Sequence, residues 1–224
     1  MKILERLDNI RKRVQDMQTQ TLGKRAAEVT GFRTFSLEAQ QYLAIAARQR
    51  FPSGSPLSLD LCCGLGGWAQ FAAALGFYSY AIDINSFLIN KAESLALESR
   101  MKGDLLPHTV CRFAVGNVHI GSNENQYRLH AMPEIDREVM PLVFGNNPYI
   151  QLGISLRDAQ VIYGFVWPKH APSFCTLLAE HTRPDTLFVL PMYTHECRSI
   201  LPLDVIECTP GKGTALYKKR RLKP

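Results

Sequence analysis

The stretch LSLDLCCGLGGW, residues 57 to 68, decides the fold of this chain. Its first half is a short apolar run that contains one acid, Asp60. The run leads into Gly64, Gly66 and Gly67, and a helix-forming sequence follows. Glycines at such a junction let the backbone turn tightly and let a ligand approach it closely. The stretch therefore predicts a strand, a glycine-rich turn and a helix, which is the opening unit of an α/β sheet.

Strand and helix patterns alternate along the chain downstream of this turn. Helical patterns cover residues 67–77, 86–103 and 171–181. Apolar strand patterns cover residues 57–63, 78–84, 109–118, 160–167, 185–193, 203–208 and 214–220. The last two strands flank TPGKG, which suits a hairpin. We therefore expect an α/β fold with a mostly parallel, Rossmann-like sheet, helices on both faces and a terminal antiparallel hairpin.

The part of the chain before PSGSP, residues 52–56, has a different character. An amphipathic helix is predicted from apolar residues three and four positions apart, namely Ile3, Leu7, Ile10, Val14 and Met17. Its other face is basic, and a second helix begins after Ser36. We expect a helical cap over residues 1–52 and a main domain over 53–224. The first helix could dock on that domain, form a homodimer, or contact nucleic acid.

Composition narrows the possible partners and the compartment. The chain has 224 residues, a net charge of +6 and a pI near 9.1, which favours acidic partners such as nucleic acid. The run KKRRLK at 218–223 is either a solvated tail or a phosphate contact. The six cysteines of the chain form no Cys-x-x-Cys pair, which fits reduced thiols in the cytoplasm. We expect no secretory signal, no membrane span and no metal site.

Two more polar residues follow predicted strands and suit a nucleoside ligand. Asp83, followed by Ile84, closes the second strand about 20 residues after the glycine turn. An acid at this position can accept hydrogen bonds from ribose hydroxyls. Asn117 follows the third strand and could either meet an adenine edge or cap a turn.

These features resemble the class I S-adenosylmethionine-dependent methyltransferases over residues 57 to 220. That family has an acid and a Gly-x-Gly turn after strand one, an acid closing strand two, and a reversed terminal strand. The resemblance implies S-adenosyl-L-methionine as cofactor, with contacts from Asp60, Cys62, Gly64, Gly66, Asp83, Ile84 and Asn117. Cys62 stands where many members have a glycine. A dinucleotide fingerprint fits less well, because Asp60 lies inside the first motif.

Two segments are candidates for strand four and for the residues that bind the methyl acceptor. The first, PLVFGNNPYI, is close to the Asn/Asp-Pro-Pro-Tyr motif of methyltransferases that act on exocyclic amines. In those enzymes the polar side chain and a proline carbonyl hold the amine, and the aromatic ring stacks on the base. The resemblance points to Asn146, Asn147, Pro148 and Tyr149. The alternative is an ordinary turn, since Asn and Pro are common turn formers.

The second segment is QVIYGFVW, residues 160–167, and its spacing favours it as strand four. The helix APSFCTLLAEH connects it directly to the next predicted strand. The Asn-Asn-Pro-Tyr segment is then an insertion between strands three and four. Tyr163 and Trp167 would be either acceptor-pocket aromatics or core residues.

We expect a methyltransferase that acts on a nitrogen acceptor, either a nucleic-acid base amine or a protein or small-molecule amine. No Pro-Cys dipeptide occurs, which argues against a cytosine-C5 enzyme. The alternative is a catalytically degenerate member that acts as a binding or partner protein.

Overall fold

The computed structural model describes residues 2–22, 36–118, 147–165, 171–191, 193, 195–209 and 215–220. Its centre is a seven-stranded sheet in the order β3-β2-β1-β4-β5-β7-β6. All neighbours from β3 to β5 pair in parallel, and β7 is antiparallel to both β5 and β6. The strands are β1 Leu57–Leu61, β2 Tyr78–Asp83, β3 Cys111–Val115, β4 Val161–Gly164, β5 Leu187–Val189, β6 Leu203–Cys208 and β7 Ala215–Lys219. The predicted α/β fold with a terminal antiparallel hairpin is confirmed.

Strand four is the one that spacing favours. Val161–Gly164 lies between β1 and β5 and pairs in parallel with both. The Asn-Asn-Pro-Tyr segment therefore precedes β4 in the chain and follows β3. The physical reason is continuity, because one helix leads from β4 to its neighbour β5.

Helices cover both faces of the sheet. They are α1 Ile3–Leu22, α2 Leu37–Gln49, α3 Gly67–Ala74, α4 Ser86–Met101, α5 Pro148–Leu152, α6 Ala171–His181 and α7 His195–Ile200. A 3₁₀ turn spans Leu156–Asp158. One apolar cluster packs α1 to α4 on the first face, and a second packs α5, α6 and α7 on the other.

Helix α5 was not predicted, although its local signals are present in the sequence. Asn147 caps it, and its side chain accepts hydrogen bonds from the amides of Tyr149 and Ile150. Pro148 occupies the first turn, and Gly153 ends the helix at φ +67°. Asn, Pro and Gly in these three positions are the usual helix start and stop residues. The segment read as a loop is thus one helical turn.

The two N-terminal helices share the core of the main domain. Leu7, Ile10 and Val14 of α1 are at most 1% exposed and belong to the same cluster as Trp68 of α3. The apolar core therefore crosses the predicted boundary at residue 52. The apolar face that motivated a homodimer is buried within the chain, so a dimer through α1, which stays a prediction, would need another surface.

The basic face of α1 is also engaged within the chain. Arg6 donates to the carbonyl oxygens of Asp104 and Ala74, at 2.8 and 3.3 Å. Arg13 pairs with the buried Asp104 carboxylate and donates to Ser99 Oγ. Of the three alternatives for this helix, docking on the domain is the one that these contacts support.

Two of the three described residues of the terminal basic run make contacts within the chain. Lys219 lies in β7 and donates to the carbonyl oxygens of Ala179 and Thr182, at 3.1 and 2.9 Å. These carbonyls end α6, where a cation is favourable. Arg220 pairs with Asp204 on the surface. Residues 221–224 lie outside the described part of the chain.

The described ranges include all six cysteines and most of the potential metal-binding side chains. None of these six cysteines forms a disulfide. Within these ranges no helix has the length and hydropathy to cross a bilayer. Nor do the described residues bring three or more His, Cys, Asp or Glu side chains together as a metal site.

Candidate functional site

The glycine-rich turn after β1 has an unusual backbone. Cys62, Gly64 and Gly66 all have positive φ, at +63°, +55° and +69°. The loop is held by hydrogen bonds from the Cys63 amide to Ile82 O and from the Gly66 amide to Cys63 O. Cys62 is the one non-glycine residue with positive φ among the described residues. It holds a conformation that costs an L-residue roughly 1–2 kcal/mol, at the position where the resemblance expects glycine.

Gly66 is required by space as well as by φ. A Cβ there would lie 2.6 Å from Phe113 Cε1 and 3.3 Å from Ala92 Cβ. Because the ring of Phe113 in β3 lies against the turn, a larger residue at position 66 would require that ring or the loop to move. The predicted role of this glycine in a tight turn is confirmed; its contact with a cofactor stays a prediction.

Asp83 and the glycine turn come together as expected. The Asp83 carboxylate accepts a hydrogen bond from the Gly64 amide at 2.8 Å and another from the Asn85 amide at 2.9 Å. The residue is 8% exposed, and burial raises the pKa of its carboxyl, although the amides of Asn85 and Gly64 oppose that rise. Each oxygen accepts one amide and retains capacity for a second donor. Ile84, half-buried, follows directly.

Asp60 is almost completely buried beneath the glycine-rich turn. It is 1% exposed, and one carboxylate oxygen accepts a hydrogen bond from the Ala69 amide in the first turn of α3, at 3.2 Å. The other oxygen is buried and has no hydrogen-bond partner among the described residues. Burial raises the pKa of Asp60 well above its usual value, and the nearby Asp83 raises it further. An unpartnered buried acceptor of this kind can receive a ligand donor or keep its own proton.

The end of β3 completes this edge of the sheet. The Gly116 amide donates to Asp83 O at 2.9 Å, which joins the segment after β3 to the end of β2. Asn117 is half-buried and Val118 is 6% exposed. Asn117 therefore lies in the segment beside the acid of strand two, as its predicted role requires; its partner in a complex stays a prediction.

The near-match segment contacts β3 and the residues that follow it. Tyr149 is 7% exposed, and its hydroxyl donates to Val118 O at 3.1 Å. Pro148 is buried, and Asn147 uses its side-chain oxygen to cap α5. Asn146 lies outside the described residues. The polar groups of Asn147 and Tyr149 are thus engaged in contacts within the chain.

Tyr163 takes the core alternative. Its ring stacks on Trp68 of α3 with centroids 5.1 Å apart and planes 12° apart, and 4% of the residue is exposed. Tyr163 thus faces α3 from the middle of the sheet, as the core alternative expects, and its role in the acceptor pocket stays a prediction. Trp167 lies outside the described residues.

The fold is shared with several solved structures. An RNA methyltransferase from Salinibacter ruber, solved with S-adenosyl-L-homocysteine, is 16% identical with a TM-score of 0.50, over 86% of this chain and 97% of its own. The magnesium protoporphyrin IX methyltransferase of Synechocystis, solved with bound cofactor, is 14% identical with a TM-score of 0.50, over 93% and 95%. A Corynebacterium glutamicum protein from a structural genomics consortium is 13% identical with a TM-score of 0.55, over 96% and 91%. No family model and no curated protein matches the chain.

Proposed function

We propose that this chain, which has the Rossmann-like fold of the class I S-adenosylmethionine-dependent methyltransferases, is an enzyme of that kind. It binds S-adenosyl-L-methionine at the carboxyl edge of β1, β2 and β3. It transfers the methyl group to a nitrogen acceptor. The substrate is a nucleic-acid base amine or an amine of a protein or small molecule.

One observation carries the proposal, namely the hydrogen bond between the Asp83 carboxylate and the Gly64 amide at 2.8 Å. It joins the acid that ends β2 to a turn whose φ angles are positive at Cys62, Gly64 and Gly66. A ligand that crosses from the turn to Asp83 meets a glycine-rich backbone at one end and a carboxylate at the other. This arrangement suits a nucleoside joined to a charged amino acid.

The residues present fit such a cofactor. Gly64 adds no side chain to the turn, which lets a ligand approach its backbone closely. Asp83 keeps acceptor capacity for ribose hydroxyls, and Asn117 follows β3, next to the acid. The buried, unpartnered oxygen of Asp60 offers an acceptor behind the turn. When bound, the cofactor supplies a methyl group on a sulfonium, which is already a good leaving group.

The chain's own contribution would be alignment. Buried, hydrogen-bonded residues such as Asp83 hold the turn rigidly, so a ligand there has little freedom to reorient. An acceptor nitrogen needs only a lone pair directed at the methyl carbon, and positioning of this kind lowers a barrier without acid or base chemistry. A nitrogen acceptor is favoured by the near-match Asn-Asn-Pro-Tyr segment beside β3 and by the net charge of +6.

The cofactor proposal is tested by calorimetric titration and thermal shift with S-adenosylmethionine and S-adenosylhomocysteine. We expect micromolar binding of both, and a loss of at least tenfold in affinity on Asp83→Ala, since a charged hydrogen-bond acceptor is worth about 1.5–3 kcal/mol. Asp185→Ala, at an exposed acid in the turn after α6, is the control and should bind as the wild type does. Wild-type affinity in Asp83→Ala would place the cofactor elsewhere.

The acceptor is identified by transfer of a labelled methyl group to separated RNA, DNA, protein and small-molecule fractions. Label on nitrogen survives mild alkali, whereas a methyl ester is hydrolysed. Alkali-labile product would contradict the nitrogen acceptor and leave the methyltransferase proposal intact.

A degenerate binding protein is the second candidate, and Cys62 is the observation that favours it. A strained, half-buried side chain occupies a position that is commonly glycine in the family. Binding of S-adenosylhomocysteine without methyl transfer to any fraction would support this candidate. Methyl transfer at any measurable catalytic rate would exclude it.

A further inference from the structure

Helix α5, which carries the Asn-Pro-Tyr sequence, is attached to the end of β3 by two hydrogen bonds. The Tyr149 hydroxyl donates to Val118 O at 3.1 Å, and the Gln151 side-chain amide donates to Val115 O at 3.3 Å. The two acceptor carbonyls are three residues apart and bracket Gly116 and Asn117. Helix α5 therefore holds both ends of the segment that leaves β3.

The same segment is tied to the other side of the site. The Gly116 amide donates to Asp83 O at 2.9 Å, and the Asp83 side chain holds Gly64. A continuous series of hydrogen bonds thus runs from Tyr149 through residues 116–118 to Asp83 and the glycine turn. Moving α5 would move the residue after β3 that is predicted to face an adenine.

The position of Tyr149 suits the hydrogen bond to Val118 O and does not suit stacking on a substrate. Its side chain packs in the apolar cluster on the α5 face of the sheet, and the residue is 7% exposed. Burial, and to a smaller degree the neighbouring Cys62, raises the pKa of Tyr149, so the phenol remains a hydrogen-bond donor at neutral pH. A ring that is covered by protein and whose hydroxyl is already engaged has no free face for a base.

We infer that α5 positions the nucleoside end of the cofactor, with Tyr149 as a positioning residue for the segment 116–118, and that the Tyr149 ring does not stack on the acceptor. This inference rests on the proposed function, because it assigns a role within the same cofactor site. It concerns affinity and selectivity for the adenine end rather than the methyl-transfer step.

The test compares two ligands, S-adenosylhomocysteine and S-inosylhomocysteine, which differ in the purine 6-substituent and in the proton on N1. Tyr149→Phe removes one oxygen and keeps the buried ring. We expect this variant to bind S-adenosylhomocysteine about three- to tenfold more weakly, which is the range for one lost hydrogen bond. The affinity for S-inosylhomocysteine should fall by a smaller factor, so that the variant discriminates less between the two ligands.

Two further variants separate positioning from general loss of structure. Gln151→Ala removes the exposed bond to Val115 and should shift discrimination in the same direction without disturbing the core. Tyr193→Phe is the matched control, since its hydroxyl also binds backbone, at Leu201 O and the Leu203 amide, but outside the β1–β3 edge. This control should leave the affinity ratio unchanged.

The outcomes are distinct. Unchanged affinity for S-adenosylhomocysteine in both Tyr149→Phe and Gln151→Ala would overturn the inference, as would an equal loss for both ligands. Wild-type affinity combined with lost methyl transfer in Tyr149→Phe would overturn it in favour of an acceptor role. Wild-type protein that bound neither ligand would contradict the proposed function, and with it this inference.

Discussion

At the scale of single residues, Asp60 shows how burial changes the chemistry of a carboxyl. One oxygen caps the first turn of α3 through the Ala69 amide, and the other has no partner among the described residues. Desolvation raises the pKa of Asp60 well above 3.8, and the neighbouring Asp83 adds to the rise. The free protein therefore favours a protonated Asp60 over a range where an exposed aspartate is charged.

Asp60→Asn tests this directly through the pH dependence of stability. Below the unfolded pKa near 3.8, Asp60 holds its proton in both the folded and the unfolded wild type. Wild type and Asp60→Asn should therefore have similar unfolding free energies there. As the pH rises toward the raised folded pKa, Asp60 is deprotonated in the unfolded wild type but not in the folded one. The unfolding free energy of the wild type therefore falls by about 1.4 kcal/mol per pH unit. The variant should therefore be more stable at pH 7, by an amount that shrinks toward pH 4.

Urea unfolding at several pH values measures this difference. Asp185→Asn, at an exposed acid, is the control and should show no pH-dependent gain. A constant difference between wild type and Asp60→Asn from pH 4 to pH 7 would mean that Asp60 ionises normally in the folded chain.

At the scale of elements, α1 is attached by a polar cluster that surrounds Asp104. The Asp104 carboxylate, 1% exposed, pairs with Arg13 and accepts a hydrogen bond from Asn9 at 3.1 Å. Arg13 also reaches Ser99, whose hydroxyl donates to Gln70 of α3. The cluster thus links α1 to α4 and to the helix that follows the glycine turn.

Asp104→Ala should cost about 3 kcal/mol of unfolding free energy, because it leaves the largely buried guanidinium of Arg13 without its counter-ion. Glu98→Ala removes a carboxylate from an exposed pair with Lys102, with side chains 42% and 58% exposed, and should cost less than about 1 kcal/mol. Chemical denaturation of both variants gives the comparison. Equal small losses would show that α1 is held by its apolar face alone.

At the scale of the whole molecule, helices α1 and α2 pack into the core on the α3 side of the sheet. Leu7, Ile10 and Leu43 are fully buried in the cluster that contains Trp68 and Phe71. Gly67 is packed in the same way, since a Cβ there would lie 2.8 Å from Leu37 Cδ2 in α2. Removal of the N-terminal helices would expose the α3 side of the sheet to water.

A chain restricted to residues 53–224 should therefore be insoluble or lack a cooperative unfolding transition, because the apolar area that α1 and α2 cover would be exposed. Co-expression with residues 1–52 as a separate fragment is the matched control and should restore soluble protein. A cooperative thermal transition in the truncated chain alone, with fixed aromatic circular dichroism, would show that the cap is an independent addition.

Much of the fold follows from local patterns in the sequence. The β1 turn is specified by glycines at positions that need positive φ, and β4 by the spacing of its apolar run from the next helix and strand. Asp83 could be placed beside the turn because carboxyl ends of adjacent parallel strands meet at one edge of a sheet. Helix α5 was missed, although Asn147, Pro148 and Gly153 are ordinary start and stop signals. Its brevity hid the helical period.

The sequence by itself thus determined the order of the strands along the chain, the glycine turn and the acid that meets it, because each depends on local sterics or on periodicity. Only the tertiary structure decided that Tyr163 stacks on Trp68, that Tyr149 binds Val118 O, and that the Arg13 side chain meets Asp104. The last two contacts join residues 31 and 91 positions apart. Which face an aromatic or basic side chain presents at such distances depends on how whole helices pack on the sheet, and no local pattern encodes that packing.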